Sequence, residues 1–265
     1  MLFELALVTT ATLAGSYVYA RSRRQRLYRE LAGRTASIVD TTRVGLADQR
    51  RAPGGFDERL AVIPQILDAT TFATVKAEAE RLVAAERSYI PAHKKGGTVA
   101  YETLIASSPA IVALYHSPSV QGLVSRIANE KVVPTPFRDQ SSLSVLFYTN
   151  PGDHIGWHYD HNFYRGRHFT VLLPLVNEGS APGGLSHAQL IAKVGEEERV
   201  IATPPNVLIV FEGAAVRHKV VPIAEGERRI VLSMTYCADP RSSLAQGLAR
   251  RIKDTAFFGI RALWT

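Results

Sequence analysis

Cross-linking is the first thing this 265-residue chain lacks: it carries one cysteine, Cys237, and so has no disulfide framework. A small stapled scaffold is excluded and a reducing compartment fits. Cys237 itself reads as a small buried hydrophobe at a strand end. No internal repeat and no low-complexity tract interrupts the chain. No basic groove interleaved with aromatics is visible in residues 137 to 240, and the net charge of +7 is concentrated rather than spread. Arg21, Arg23, Arg24, Arg26 and Arg29 fall within nine residues, which is not the footprint of a nucleic-acid partner, and none is expected.

What is there, at 46% hydrophobic residues, is enough for one good-sized domain and an appendage. From Leu2 to Ala20 the chain is apolar apart from Glu4 and small hydroxyl residues, close to the ~20 residues that cross a bilayer. Tyr17 and Tyr19 suit an interfacial aromatic belt. With Glu4 before this run and the arginines after it, a single-pass membrane helix over residues 1–20 is expected. The positive-inside bias puts residue 21 onward in the cytosol and the arginines at anionic headgroups. The charge order is the reverse of a cleaved signal peptide; a helix lying on the membrane surface is the other reading.

Residues 21–60 read as a basic juxtamembrane segment and a linker, broken at Ala52-Pro53-Gly54-Gly55. Residues 61–136 read as helical support. Ala69 to Arg87 has helical spacing (Phe72, Val75, Ala79, Leu82, Val83) with Asp68 or Thr70 as N-cap. Ser108–Tyr115 and Ser119–Asn129, the latter after Pro118, read as two more helices. Residues 241–265 form a tail, helical over Ser242–Ile252, with an apolar end of Phe257, Phe258, Ile260, Leu263 and Trp264 that covers the core or touches a membrane. Residues 137–240 are different. Leu143–Tyr148, His168–Val176, Ala188–Ala192, Val207–Phe211 and Arg229–Tyr236 read as short strands separated by turns such as Asn150–Asp153 and Ala181–Gly184. That rhythm predicts a mainly β fold with supporting α-helices, a sandwich or barrel rather than an α/β sheet.

The residues that carry chemistry are His158-Tyr159-Asp160 and, after a gap of 57 residues, His218, followed by Arg228-Arg229. On an extended strand, residues two apart share a face, so His158 and Asp160 can hold one metal ion side by side while His218 arrives from a neighbouring strand. Two imidazoles and one carboxylate suit Fe(II) and leave positions open for a chelating cosubstrate and O2. His187, by the Gly183-Gly184 hairpin, is the rival third ligand, but too few residues separate it from Asp160 for the strands needed between them. His161 reads as a rim or surface residue. His154 and His168 read as barrel-edge histidines with possible contacts to the site's surroundings.

In the order tyrosine strand, Pro-Gly turn, His-x-Asp, Gly-Gly hairpin, distal His, basic residue and Ser/Thr strand, residues 137–240 resemble the Fe(II)/2-oxoglutarate-dependent dioxygenases, in their prolyl-4-hydroxylase-like branch. The resemblance implies a double-stranded β-helix, a jelly-roll or cupin-like core, with His158, Asp160 and His218 as iron ligands. It implies Arg229 or Arg228 as the anchor of the distal carboxylate of 2-oxoglutarate and Tyr148 as a hydroxyl on the same cosubstrate. Only one of two adjacent strand residues faces inward. The frame Arg229, Val231, Ser233 is favoured over Arg228, Ile230, Leu232, because it places Ser233 four residues after the basic residue. The implied cosubstrates are 2-oxoglutarate and O2, consumed together to succinate and CO2 as a C–H bond is oxidised, with ascorbate as an accessory reductant. Pro174 stands where many relatives carry a tyrosine, which shifts the cosubstrate pocket toward Tyr148 and Thr170. Iron halogenases need a small residue in place of the ligating carboxylate, so Asp160 favours hydroxylation or desaturation.

For the substrate, the residues leave three readings. The membrane segment and apolar tail favour a lipid-like or other small molecule, the family favours a peptidyl side chain, and a metal-binding jelly roll without turnover is the non-enzyme alternative. A scaffold would have no reason to keep an arginine facing a hole.

Overall fold

The computed structural model describes residues 2–47, 56–57, 59–83 and 94–258. Along the chain run α1 (Leu2–Thr41), β1 (Leu60–Ile63), α2 (Ala69–Leu82), β2 (Lys94–Lys95), β3 (Gly97–Val99), α3 (Tyr101–Ser107), α4 (Pro109–Tyr115), α5 (Pro118–Ala128), β4 (Val133–Pro134), β5 (Leu143–Tyr148), β6 (His154–His158), β7 (Arg165–Glu178), β8 (Leu190–Val194), β9 (Glu197–Ile201), β10 (Leu208–Phe211), β11 (His218–Val220), β12 (Arg228–Asp239) and α6 (Leu244–Phe258). A larger sheet has the order β1-β10-β7-β12-β5-β3, with β4 beside β12, and a smaller one the order β2-β6-β11-β8-β9. The resulting mainly β fold with helices fits the jelly-roll expectation.

Side-chain alternation on the long strands explains both layers of packing. On β12, Ile230, Leu232, Met234 and Tyr236 enter the core shared with the helices, while Arg229, Val231, Ser233 and Thr235 line a cavity on the other face. β5 does the same, with Leu143, Val145 and Phe147 toward the helices and Ser144, Leu146 and Tyr148 toward the cavity. Both faces are covered, so these strands read as nearly continuous apolar runs broken only where a polar residue faces the cavity. Each fully buried aliphatic or aromatic side chain contributes roughly 1.5–3 kcal/mol, which fixes the strand register firmly and makes a one-residue slip prohibitive. Pro174 sits inside β7 at the point where the β12 ladder shifts between Ile230 and Val231. An irregular rung is where a missing amide does least harm.

The helices form largely where expected. Asp68 caps α2, its Oδ1 accepting the Thr71 amide at 2.9 Å, and Pro109 and Pro118 open α4 and α5. Segment 61–136, read as helical support, also supplies β1 to β4.

The N-terminal expectations need correcting. No helix among the described residues is long and apolar enough to cross a membrane; Glu4, Thr9, Thr10, Thr12 and Ser16 dilute the apolar run. α1 also does not stop at a linker after residue 30. It continues to Thr41 because Leu27, Leu31 and Ile38 fall on one helical face and pack against the core, and Arg34 Nη2 donates to the Ala106 carbonyl at 2.6 Å. The Ala52–Gly55 break, the end of the expected 69–87 helix, and Ile260, Leu263 and Trp264 lie outside the described residues.

Candidate metal and cosubstrate site

β6 and β11 are antiparallel neighbours with His218 opposite His158, which sets the two imidazoles 4.1 Å apart, centroid to centroid. Each ring is held by a local bond: His158 Nδ1 lies 2.8 Å from the Gly156 carbonyl and His218 Nδ1 3.0 Å from that of Val216. A carbonyl can only accept, so Nδ1 carries the proton in both rings and Nε2 presents its lone pair. Asp160 Oδ1 lies 3.6 Å from His158 Nε2 and 3.9 Å from His218 Nε2. The three ligand atoms lie within 4.8 Å of one another. Two imidazoles and a carboxylate converging in this way fit a divalent metal ion.

Asp160 reaches this position by a route the two-residue strand rule does not describe. β6 ends at His158, and the Asp160 amide donates instead to the Gly213 carbonyl at 3.0 Å. Its Oδ2 accepts from Thr170 Oγ1 at 2.5 Å, which leaves Oδ1 turned toward the imidazoles. Burial disfavours the charged Asp160, but the facing His218 and His158 and the Thr170 hydroxyl outweigh it and hold the carboxyl below its ordinary range. Gly213 is part of the site and is not evident from sequence. A Cβ there would lie 2.4 Å from Thr170 Oγ1 and 2.7 Å from Asp160 Oδ2, both fixed by the bonds just described. Gly213→Ala is therefore expected to weaken metal retention about tenfold or more while the chain stays folded, checked by metal titration alongside circular dichroism.

The cavity holds about 500 Å³. Arg229 lies in it as the largest fully buried side chain, 1% exposed, and its Nε and Nη2 find no hydrogen-bond partner among the described residues. Tyr148 is its rung partner, with the guanidinium 5.3 Å from the ring centroid. A buried guanidinium facing a cavity with open donors is the complement of a carboxylate. Arg228 points the other way, to Glu80 at 3.1 Å and Glu178 at 3.5 Å on the surface. The inward frame is thus Arg229, Val231, Ser233. In the place of a tyrosine at Pro174, the β7 side chains lining the cavity are His168, Thr170 and Leu172.

The other histidines are sorted by their contacts. His187 Nδ1 lies 2.6 Å from Glu227 Oε1, away from the triad, where that buried carboxylate also accepts the backbone amides of Ser180, His187 and Ala224. His161 is exposed and stacks on Phe163, and His154 Nδ1 is 2.8 Å from the Gly152 carbonyl. His168 is buried and lines the cavity. α6 contributes more than the expected tail: Lys253, Phe257 and Phe258 line the cavity, and Lys253 is anchored by Asp139 at 3.0 Å and Asp254 at 2.9 Å.

Residues 48–189, just over half of the chain and including His158 and Asp160, match the family model of Halogenase D, HalD. The chain belongs to the Halogenase D family. Its fold is that of the 2-oxoglutarate–Fe(II) oxygenases. It is similar to the non-heme α-ketoglutarate-dependent epimerase SnoN of nogalamycin biosynthesis at 19% identity and TM-score 0.55, over 71% of this chain and 77% of that one. It is similar to a Pseudomonas putida prolyl-4-hydroxylase at 18% and 0.53, over 78% and 100%. A Trichoplax adhaerens prolyl hydroxylase, solved with a hypoxia-inducible factor peptide, gives 18% and 0.55, over 81% and 91%. No curated protein matches the sequence. SnoN has also been solved with Fe3+, α-ketoglutarate and a nogalamycin compound, and the His158, Asp160 and His218 cluster of this Halogenase D member has the donor set such an ion needs.

Proposed function

We propose that this Halogenase D family member is an Fe(II)- and 2-oxoglutarate-dependent oxygenase that hydroxylates a C–H bond of a small molecule, and does not halogenate it. The observation that carries this reading is Asp160. Its Oδ1 occupies the third protein position beside two imidazoles, and Thr170 and Gly213 hold it there. A halide would need that place.

Iron held by His158, Asp160 and His218 would supply the oxidising power, coupling conversion of 2-oxoglutarate and O2 to succinate and CO2 to insertion of the second oxygen atom into a substrate C–H bond. The chain's own residues hold and orient. His158, Asp160 and His218 would hold the ion from one side, leaving the other open. Arg229, at the buried end of the cavity, would take the distal carboxylate bidentately, with the Tyr148 hydroxyl beside it. Phe257 and Phe258 on α6 add apolar lining to the cavity and would keep water from the reacting centre. Because α6 lines the cavity rather than leaving an open groove, and about 500 Å³ suits a small ligand, a small molecule is favoured over a peptidyl side chain.

The test is an incubation of the full chain with Fe(II), ascorbate, 2-oxoglutarate and a small-molecule extract, with bromide present. Expected are succinate release and products that gain an oxygen atom derived from O2. A brominated product, or no succinate from folded, iron-loaded protein, would overturn the reading.

A further inference from the structure

α6 carries an apolar face that nothing among the described residues covers. Leu244, Leu248 and Ile252 are 97%, 60% and 63% exposed. Spaced four apart, they line one side of the helix, and the exposed alanines Ala245, Ala249 and Ala256 widen the stripe. Single exposed apolar residues are ordinary, whereas an aligned stripe on one helix marks a contact surface. The other side of α6 accounts for its docking on the fold: Arg250 and Asp254 are buried and paired, and Lys253 and Phe257 line the cavity. Asp254 is the only acid in α6, so the outward face holds no negative charge.

Arginines from three segments border the stripe. Arg251 follows Leu248 by three residues and Leu244 by seven, which sets it at the stripe's edge. Its Nε has no hydrogen-bond partner among the described residues. Burial, and then the like charges of Arg24, Arg250 and Arg138, push its guanidinium below its ordinary range. Side-chain contacts place α1 against the same edge. Tyr28 on α1 meets Phe137 edge-on with centroids 5.5 Å apart, and the carbonyl of the next residue, Arg138, accepts from Arg250 Nη1 on α6. On this stretch of α1, Arg21, Arg23, Arg26 and Arg29 are exposed, and no acid falls between Arg21 and Arg29.

We propose that the outward face of α6 and the adjoining arginines of α1 form a docking surface for an anionic phospholipid bilayer, on which the chain sits peripherally. Charge selects this occupant. A second copy of the chain, seated on the stripe about a two-fold axis, would bring the two groups of arginines toward each other. Anionic headgroups answer those arginines instead, while Leu244, Leu248 and Ile252 enter the boundary between headgroups and acyl chains. A surface-lying helix needs neither the length nor the hydropathy of a membrane span, and no described helix has them. Docking of this kind is independent of the chemistry in the cavity.

Co-sedimentation of the full chain with vesicles of phosphatidylcholine alone, and of equimolar phosphatidylcholine and phosphatidylglycerol, is the test. Binding should be about tenfold tighter or better on the anionic vesicles, and should weaken as salt is raised. The double variant Leu248→Gln with Ile252→Gln changes exposed positions outside both the core and the cavity lining. It should bind the anionic vesicles about tenfold more weakly while keeping the parent's Tm and Fe(II) binding. Arg251→Gln should lose about fivefold and soften the salt dependence. Equal affinity for the two vesicle types, or undiminished binding by the double variant, would overturn the proposal. So would a parent dimer, seen by light scattering, that the double variant dissociates while neither protein binds vesicles, because a second copy would then be what covers the stripe.

Discussion

Asp160→Ala is expected to bind Fe(II) at least about a hundredfold more weakly than the parent and to lose turnover altogether. The carboxylate is the only anionic donor of the triad, and the two imidazoles that remain offer no charge to offset a divalent ion. Loss is also not buffered by a neighbour: among the described residues the cluster holds no second acid. Since the metal-free site has lost a half-buried anion flanked by two bases, the apo chain should stay folded, and equilibrium metal binding rather than melting is the measurement. His161→Ala, at the very next residue but exposed against Phe163, should bind Fe(II) like the parent. Undiminished iron binding by Asp160→Ala would remove the triad as the metal site.

The strands around the site were legible because their cavity-facing polar residues interrupt otherwise apolar runs at a period of two. Ser144 between Leu143 and Val145, and Ser233 between Leu232 and Met234, mark the inward face, and the choice of Arg229 over Arg228 follows from the same alternation. Motif spacing likewise brought His158, Asp160 and His218 into one cluster. Other features depend on contacts remote in sequence. Gly213 is required by the approach of Thr170 and Asp160 to its Cα, and glycine in a loop gives no hint of that. α6 was recognisable as a helix, but that Phe257 and Phe258 face the cavity depends on where the Asp139–Lys253 pair docks it. At the other end, Leu27, Leu31 and Ile38 carry a helical stripe, yet the surrounding arginines and Gly33 made the segment read as a linker. Packing against the core decides it.

Membership in a family named for halogenation and the presence of Asp160 pull toward different chemistries, and the proposal made above follows Asp160. The family match covers His158 and Asp160 but stops before His218 and Arg229, so the name describes the first half of the site only. Within that half the third ligand position is filled by an anchored carboxylate. A residue that merely lingered would not need its hydroxyl donor at 2.5 Å or a glycine kept bare to admit it.

Arg229→Met should raise the dissociation constant for 2-oxoglutarate by roughly a hundredfold to a thousandfold, about 3–4 kcal/mol and inside the range of roughly 2–5 kcal/mol typical of removing one partner from a buried, bidentate charge pair. The fold should hold. In the metal-free chain the guanidinium is buried with two open nitrogens, and replacing an uncompensated buried charge by an apolar side chain of similar length is neutral or stabilising. The measured signature is thus a large rise in KM for 2-oxoglutarate, unchanged or higher Tm, and iron binding by the triad intact. Arg229→Lys should recover only part of the loss, because an ammonium cannot reproduce the two parallel bonds of the planar fork. Arg228→Met gives the control on the adjacent residue: it breaks only surface pairs with Glu80 and Glu178, worth under about 1 kcal/mol, and should leave the cosubstrate's affinity where it was. The reverse outcome, with Arg228 essential and Arg229 dispensable, would mean that the inward face of β12 is the other one, and the cavity would lose its carboxylate anchor along with the register that placed it.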